Sequence, residues 1–197
     1  MKKQLFIIST LLITCPLFLF SQANTAPLTP GAVLLFKNSN SKFTNQEKNW
    51  LFTETKLQVS KDKKGFKMDE YEVIATAYIT DINKDGAEEV FIVLQSGALY
   101  GNTGEDFMLY IKNNSGMLQR QDIGGGLAMI FTSNKANAYP DIAVGGPGFE
   151  FALYKWNGKK YAYSKKITDA AIQQNKLQYQ LPADCGAAYA ATLKKAG

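Results

Sequence analysis

The stretch Asp81-Ile82-Asn83-Lys84-Asp85-Gly86-Ala87-Glu88-Glu89 sets oxygen donors around a bend at a regular spacing. Side-chain oxygens stand at its first, third and fifth positions, a glycine at the sixth and a carboxylate at the ninth. Ca²⁺ takes about six to eight oxygen ligands, and such a loop wraps the ion while the glycine allows the sharp turn. Asp81, Asn83 and Asp85 offer side-chain oxygens, Ala87 its backbone carbonyl, and Glu89 a carboxylate acting directly or through water. An ordinary polar turn needs only a few Asx and Gly residues, without this register. Carboxylates packed into one short loop also repel each other unless a cation lies among them. An EF-hand would carry a glutamate at the twelfth position, and Ile92 stands there. Val90 to Leu94 is instead a β-branched and aromatic run, so the expected unit is a calcium loop feeding a buried strand.

Other elements must hold that loop in place. Tyr71 to Thr80 reads as the strand leading into it. Upstream, Thr44-Asn45-Gln46-Glu47 is a capping box opening a helix through Lys48, Trp50 and Leu51, with the Trp50 face expected in the core. Leu57–Val59 and Phe66–Met68 flank Asp62-Lys63-Lys64-Gly65, which predicts a hairpin with a basic tip. Lys61, Lys63, Lys64 and Lys67 then form a solvated edge.

Downstream the chain repeats itself. Glu89-Val90-Phe91-Ile92 matches Asp141-Ile142-Ala143-Val144, and Phe107-Met108-Leu109-Tyr110 matches Phe151-Ala152-Leu153-Tyr154. Each copy then turns through Asn and Gly, at Asn114-Ser115-Gly116 and Asn157-Gly158. The second copy places Ser133, Lys135 and Asn137 where Asp81, Asn83 and Asp85 stand, so no second metal site is expected.

Asp81-x-Asn83-x-Asp85-Gly86-x-x-Glu89 followed by an apolar strand resembles the calcium loops of FG-GAP and VCBS repeats. Gly145-Gly146-Pro147-Gly148-Phe149 is similar to their glycine-rich and Phe-Gly signatures, in a different order. The resemblance implies β-propeller blades, as in integrin α chains and many exported bacterial proteins, with one intact and one degenerate copy. Propellers close with about four to eight blades, and two copies are too few. The expected fold is therefore mainly β, with α+β the alternative. It consists of an antiparallel sheet of propeller-like hairpins with a short N-terminal helix and a C-terminal helix, and no closed propeller.

Asn157-Gly158 predicts a two-residue hairpin turn pairing Trp156 with Lys159, Tyr154 with Tyr161 and Ala152 with Tyr163. That aromatic row reads as core, with a carbohydrate platform as the alternative. The two copies differ in length within Gln95 to Asp106, a glycine-rich insert carrying Tyr100, Asn102, Glu105 and Asp106. Loops on a rigid sheet often carry contacts, so these four are the candidate partner-binding residues; a merely tolerated loop is the alternative. Gly124-Gly125-Gly126 lacks the Lys-Ser/Thr of a phosphate loop. Pro182-Ala183-Asp184 opens a C-terminal helix with Asp184 at the cap, ending in Lys194 and Lys195. Cys185 near its start reads as a quiet thiol.

Composition bounds the function. Met1-Lys2-Lys3, the apolar run Leu5 to Phe20 and the small residues of Ser21-Gln22-Ala23 form an export signal over residues 1–23. Residues 24–43 are expected as a flexible leader and 44–197 as a single β-rich domain, periplasmic or secreted, with no membrane span after cleavage. Losing Lys2 and Lys3 takes the net charge from +5 to +3, which is not a nucleic-acid binder's footprint. Cys185 is then the single thiol, so no internal disulfide can form. The chain has no histidine, which excludes Ser-His-Asp and Cys-His catalysis and removes the usual zinc ligand. Ser39-x-x-Lys42 and Ser60-x-x-Lys63 lack the companion motifs of Ser-Lys enzymes. The expected function is a non-catalytic, exported Ca²⁺-binding domain that binds a protein or cell-surface component in an inhibitor, immunity or adhesion role. The alternatives are a hydrolase acting through Glu105, Asp106 or Glu150, and a purely structural module.

Overall fold

The computed structural model describes residues 26–132, 138–146, 148 and 150–196. The segment expected as an export signal, together with Ser133, Lys135, Asn137, Pro147 and Phe149, lies outside the described residues. In chain order come helix α1 (Pro30–Leu35), helix α2 (Asn45–Glu54), and strands β1 (Gln58–Val59), β2 (Phe66–Met68), β3 (Tyr71–Thr80) and β4 (Glu89–Gln95). Helix α3 (Gly97–Tyr100) and a 3-10 turn (Gly101–Thr103) lead to β5 (Glu105–Lys112), β6 (Leu118–Arg120), β7 (Leu127–Phe131) and β8 (Ile142–Gly145). Then follow β9 (Glu150–Trp156), β10 (Tyr161–Thr168), α4 (Asp169–Gln174), β11 (Tyr179–Gln180) and α5 (Pro182–Ala196).

The fold is β-rich, as expected, and its strands divide into two antiparallel sheets, neither closed into a barrel or propeller. One runs β1-β2-β3-β4-β5-β6 and the other β10-β9-β8-β7-β11. The matched segments of the sequence occupy equivalent places. Glu89–Ile92 and Phe107–Tyr110 lie on β4 and β5; Asp141–Val144 and Phe151–Tyr154 lead into or lie on β8 and β9. These are the second and third strands of the meanders β3-β4-β5-β6 and β7-β8-β9-β10. The register sets Ile92 opposite Ala77 and Met108 in the first sheet, and Ala143 opposite Met129 and Leu153 in the second.

Alternation of side chains across a strand explains the layering. Val90, Ile92 and Leu94 of β4, with Met108 and Tyr110 of β5, face a core built with Leu35 and Phe36 at α1, Leu51 of α2 and Tyr189 of α5. Phe91 and Val93 turn the other way and, with Phe107 and Leu109, meet Ala128, Ile130 and Ile142 of the second sheet. A third cluster on the far side of that sheet joins Met129, Phe151 and Ile167 to Ile172 of α4. Every residue of β4 from Glu89 to Leu94 is buried, so this strand is covered on both faces. The capping box of α2 forms: the Thr44 hydroxyl accepts from the Glu47 N–H at 3.1 Å, and Glu47 accepts from the Thr44 N–H at 2.7 Å. The other Glu47 oxygen meets Lys112 of β5 at 2.7 Å, which ties the helix to the sheet.

Five local expectations are corrected. The segment expected as a leader contains α1, whose Ala32 and Leu35 are buried, because Thr29 caps it and its apolar face finds the first sheet's core. Leu51 turns inward from α2 while Trp50 stays exposed and meets Tyr110 edge-on at 5.6 Å. The Asn157 turn spans four residues, since the Asn157 side chain accepts from the Lys159 and Lys160 N–H groups; Trp156 pairs with Tyr161 and Tyr154 with Tyr163. Of the aromatic row, Tyr161 is buried and Tyr163 is exposed. Asp184 sits in the first turn of α5, accepting from the Leu181 N–H at 3.0 Å, rather than at the cap.

A Cβ placed on Gly126 would stand 1.9 Å from the carbonyl oxygen of Gly145, across the β7–β8 pair. Backbone cannot move aside as a flexible side chain can. Gly126→Ala is therefore expected to cost about 1–3 kcal/mol in urea unfolding; an unchanged midpoint would contradict the close approach.

Candidate metal centre

The loop between β3 and β4 is folded on its own backbone. Asp81 accepts from the Asp85 N–H at 3.0 Å and the Gly86 N–H at 3.1 Å. Asp85 accepts from the Ala87 N–H at 2.8 Å and from the Asn83 side-chain amide at 2.7 Å. Gly86 has φ +88°, the left-handed conformation that glycine adopts without strain. Asn83 is buried, whereas Lys84 to Ala87 are exposed. Each carboxylate oxygen that accepts one N–H keeps a second lone pair, so these bonds do not exhaust the donors.

Glu88 and Glu89 close the loop and point to different surroundings. Glu88 accepts from the Lys42 backbone N–H with both oxygens, at 2.8 and 3.0 Å, and from the Tyr189 hydroxyl at 3.0 Å. It thereby joins the segment before α2 and helix α5 to the loop. Glu89 accepts from the Ile82 N–H at 2.9 Å and from the Tyr139 hydroxyl at 3.1 Å. It is 1 % exposed. Burial pushes its carboxyl up to about 8, and the nearby charges of Asp81 and Asp85 push the same way. Burial, and then the Glu89 charge, hold the Tyr139 hydroxyl far above its ordinary range, which keeps it a donor.

Among the described residues, Asp81, Asp85, Glu88 and Glu89 have no ion-pair partner. The second copy differs. Asp141, at the position matching Glu89, meets Lys155 of β9 at 2.9 Å. Extending the Val90–Tyr110 register by one residue sets Glu89 opposite Ile111, a buried apolar side chain. One copy thus supplies a cation from its own strand and the other does not.

The oxygen types are those a hard divalent cation takes: two carboxylates and an amide at alternate positions, the Ala87 carbonyl in the bend and Glu89 behind them. No group of three or more His, Cys, Asp or Glu side chains among the described residues is already gathered about one point. Glu89 is held toward Tyr139, so the loop combines its donors across side chain, amide and backbone.

The insert is ordered by its own bonds. The Ser96 N–H donates to Gly104 O at 2.9 Å, and Tyr100 packs against the first sheet's core. Glu105 accepts from Gln95 at 3.2 Å. Asp106 accepts from the Phe107 N–H at 2.7 Å and the Gly125 N–H at 2.6 Å, so it braces the glycine-rich turn before β7. Asn102 is exposed. Glu150 lies on the other sheet, paired with Lys166 at 2.8 Å. Sequence reasoning missed Glu88, Tyr139 and Tyr189. The available signal was two adjacent acids at the head of an apolar run: in a strand buried on both faces, neither can reach solvent freely.

No helix among the described residues is long and apolar enough to cross a membrane. No family model, curated protein or solved structure matches the chain.

Removing the Glu88 carboxylate leaves the buried Tyr189 hydroxyl and the part-buried Lys42 N–H without an acceptor. Glu88→Ala is expected to lose roughly 2–3 kcal/mol in denaturant unfolding, and Tyr189→Phe about 1 kcal/mol. Losses below about 0.5 kcal/mol for both would show that the clamp is idle. Cys185, pushed up to about 11 chiefly by burial, should react with iodoacetamide at pH 8 about a hundredfold more slowly than an unperturbed thiol. Labelling at the rate of free cysteine would contradict this.

Proposed function

We propose that this chain is an exported, non-catalytic domain that binds Ca²⁺ in the Asp81–Glu89 loop. The observation that carries the reading is the unpaired loop: Asp81 and Asp85, without an ion-pair partner among the described residues, stand ahead of a buried Glu89 that has none either. Ca²⁺ held by Asp81, Asn83, Asp85 and the Ala87 carbonyl, with Glu89 acting through water, supplies the missing countercharge. The ion fixes the bend from which β4 starts, and its first effect is stability. The likeness of the loop to FG-GAP and VCBS repeats supports the same reading. The partner is a protein or cell-surface component, and the exposed Asn102 at the tip of the insert is the first contact to examine.

Melting curves test the metal. An ion that binds only the folded state adds about 2.7 kcal/mol at a hundredfold excess over its dissociation constant. For a domain of this size that raises Tm by roughly 5–10 °C. The rise should vanish in Asp81→Ala/Asp85→Ala, and identical curves in calcium and in EDTA would refute the proposal.

A further inference from the structure

A cavity of about 430 Å³ opens beside the loop, between the second sheet and α5. Its size falls within the roughly 300–1,000 Å³ typical of small-molecule pockets. Ile82, Ile130 and Pro140 give it apolar walls. The opposite wall is one face of α5, where Cys185, Ala188, Tyr189 and Thr192 follow the helical spacing. Ala188 and Thr192 are small and exposed, so this face leaves room for an occupant. Neither the core clusters nor the metal loop fills this space.

Two charged side chains line it, Asp81 and Lys84, both from the loop. Lys84 is exposed, and its ammonium has no hydrogen bond or ion pair among the described residues. It stands there with φ +62°, an uncommon backbone conformation for a side-chain-bearing residue. Asp81 would repel an anion, but on the calcium reading its charge is taken up by the ion. With Asp81 bound to the ion, the Lys84 ammonium is the charge that remains on the rim above an apolar floor.

We propose that this pocket binds a small amphiphilic carboxylate, its alkyl or aryl body against Ile82, Ile130 and Pro140 and its headgroup on the Lys84 ammonium. A neutral apolar ligand would leave the Lys84 charge unused, and a cation would meet it with repulsion. The inference rests on the calcium reading only through Asp81: calcium should tighten binding, and by linkage the carboxylate should tighten calcium by the same factor.

The test is calorimetric titration of the protein with 4-phenylbutyrate and with 4-phenylbutan-1-ol, in calcium and in EDTA. The acid should bind wild type about three- to fivefold more tightly than the alcohol, the range an exposed charge pair provides. Lys84→Gln should erase that difference while leaving alcohol binding intact. Ala188→Trp, which fills the pocket from an exposed helix position, should abolish both. No binding to wild type, equal affinity for acid and alcohol, or binding that survives Ala188→Trp would each overturn the proposal. Failure of the calcium reading is separate, since it appears as ligand-free melting curves indifferent to calcium. Acid binding that is the same in EDTA but still lost in Ala188→Trp upholds the pocket and removes only its coupling to the ion.

Discussion

Two neighbouring carboxylates, taken out of water at the head of one strand, are the constraint on which the rest of the molecule depends. Burying an ionisable group is costly unless hydrogen-bond donors surround it. Glu88 meets that requirement with the Lys42 N–H and the Tyr189 hydroxyl, Glu89 with the Ile82 N–H and the Tyr139 hydroxyl. These donors come from four places: the segment before α2, helix α5, the loop itself and the approach to β8. Because successive residues of an extended chain face opposite ways, one dipeptide can hold the N-terminal and C-terminal segments on one side and the second sheet on the other. If either donor set were displaced, a buried acid would lose its acceptor bonds and the two sides of β4 would come apart from the same point.

That geometry explains why β4 carries the architecture. Its even-numbered side chains join the helix-covered core and its odd-numbered ones the core between the sheets. A strand at the edge, or one with a solvated face, could not connect two cores. The loop before it therefore does more than turn the chain, since an error in its bend would rotate Val90 to Leu94 and misplace both layers at once. Glycine at 86, with φ +88°, and the Asx-type bonds of Asp81 and Asp85 keep that bend fixed.

Local chemistry was legible in the sequence and long-range chemistry was not. The capping box at Thr44–Glu47, the β1–β2 hairpin and the loop-to-strand transition all depend on residues close in sequence, where periodicity and turn chemistry act directly. The register after Asn157 was misread because the Asn side chain accepts from two N–H groups and widens the turn, an outcome that the dipeptide Asn-Gly does not specify. Helix α1 was missed because six residues have weak propensity of their own and depend on packing against a distant sheet. Glu88–Tyr189 spans 101 positions and Glu89–Tyr139 spans 50, so neither pairing leaves a local signal. The bend and its acids could thus be located from the sequence, while the distant segments that Glu88 and Glu89 bind could not.

The two copies show how the same acid can be accommodated in two ways. Asp141 occupies the place of Glu89 in its own meander, and Lys155 on the next strand neutralises it. Glu89 has Ile111 across from it and receives only neutral donors, one of them Tyr139, two residues before Asp141. A lysine at 111 would satisfy Glu89 but would bury an ammonium in the core between the sheets, where Ile111 is 2 % exposed. The first copy therefore cannot adopt the second copy's solution without damaging the packing that joins the sheets. On the proposed reading a divalent ion in the solvent-facing loop resolves this conflict, because it brings positive charge to the acids from outside the core. The second meander, with Lys155 beside Asp141 on the next strand, has no such need.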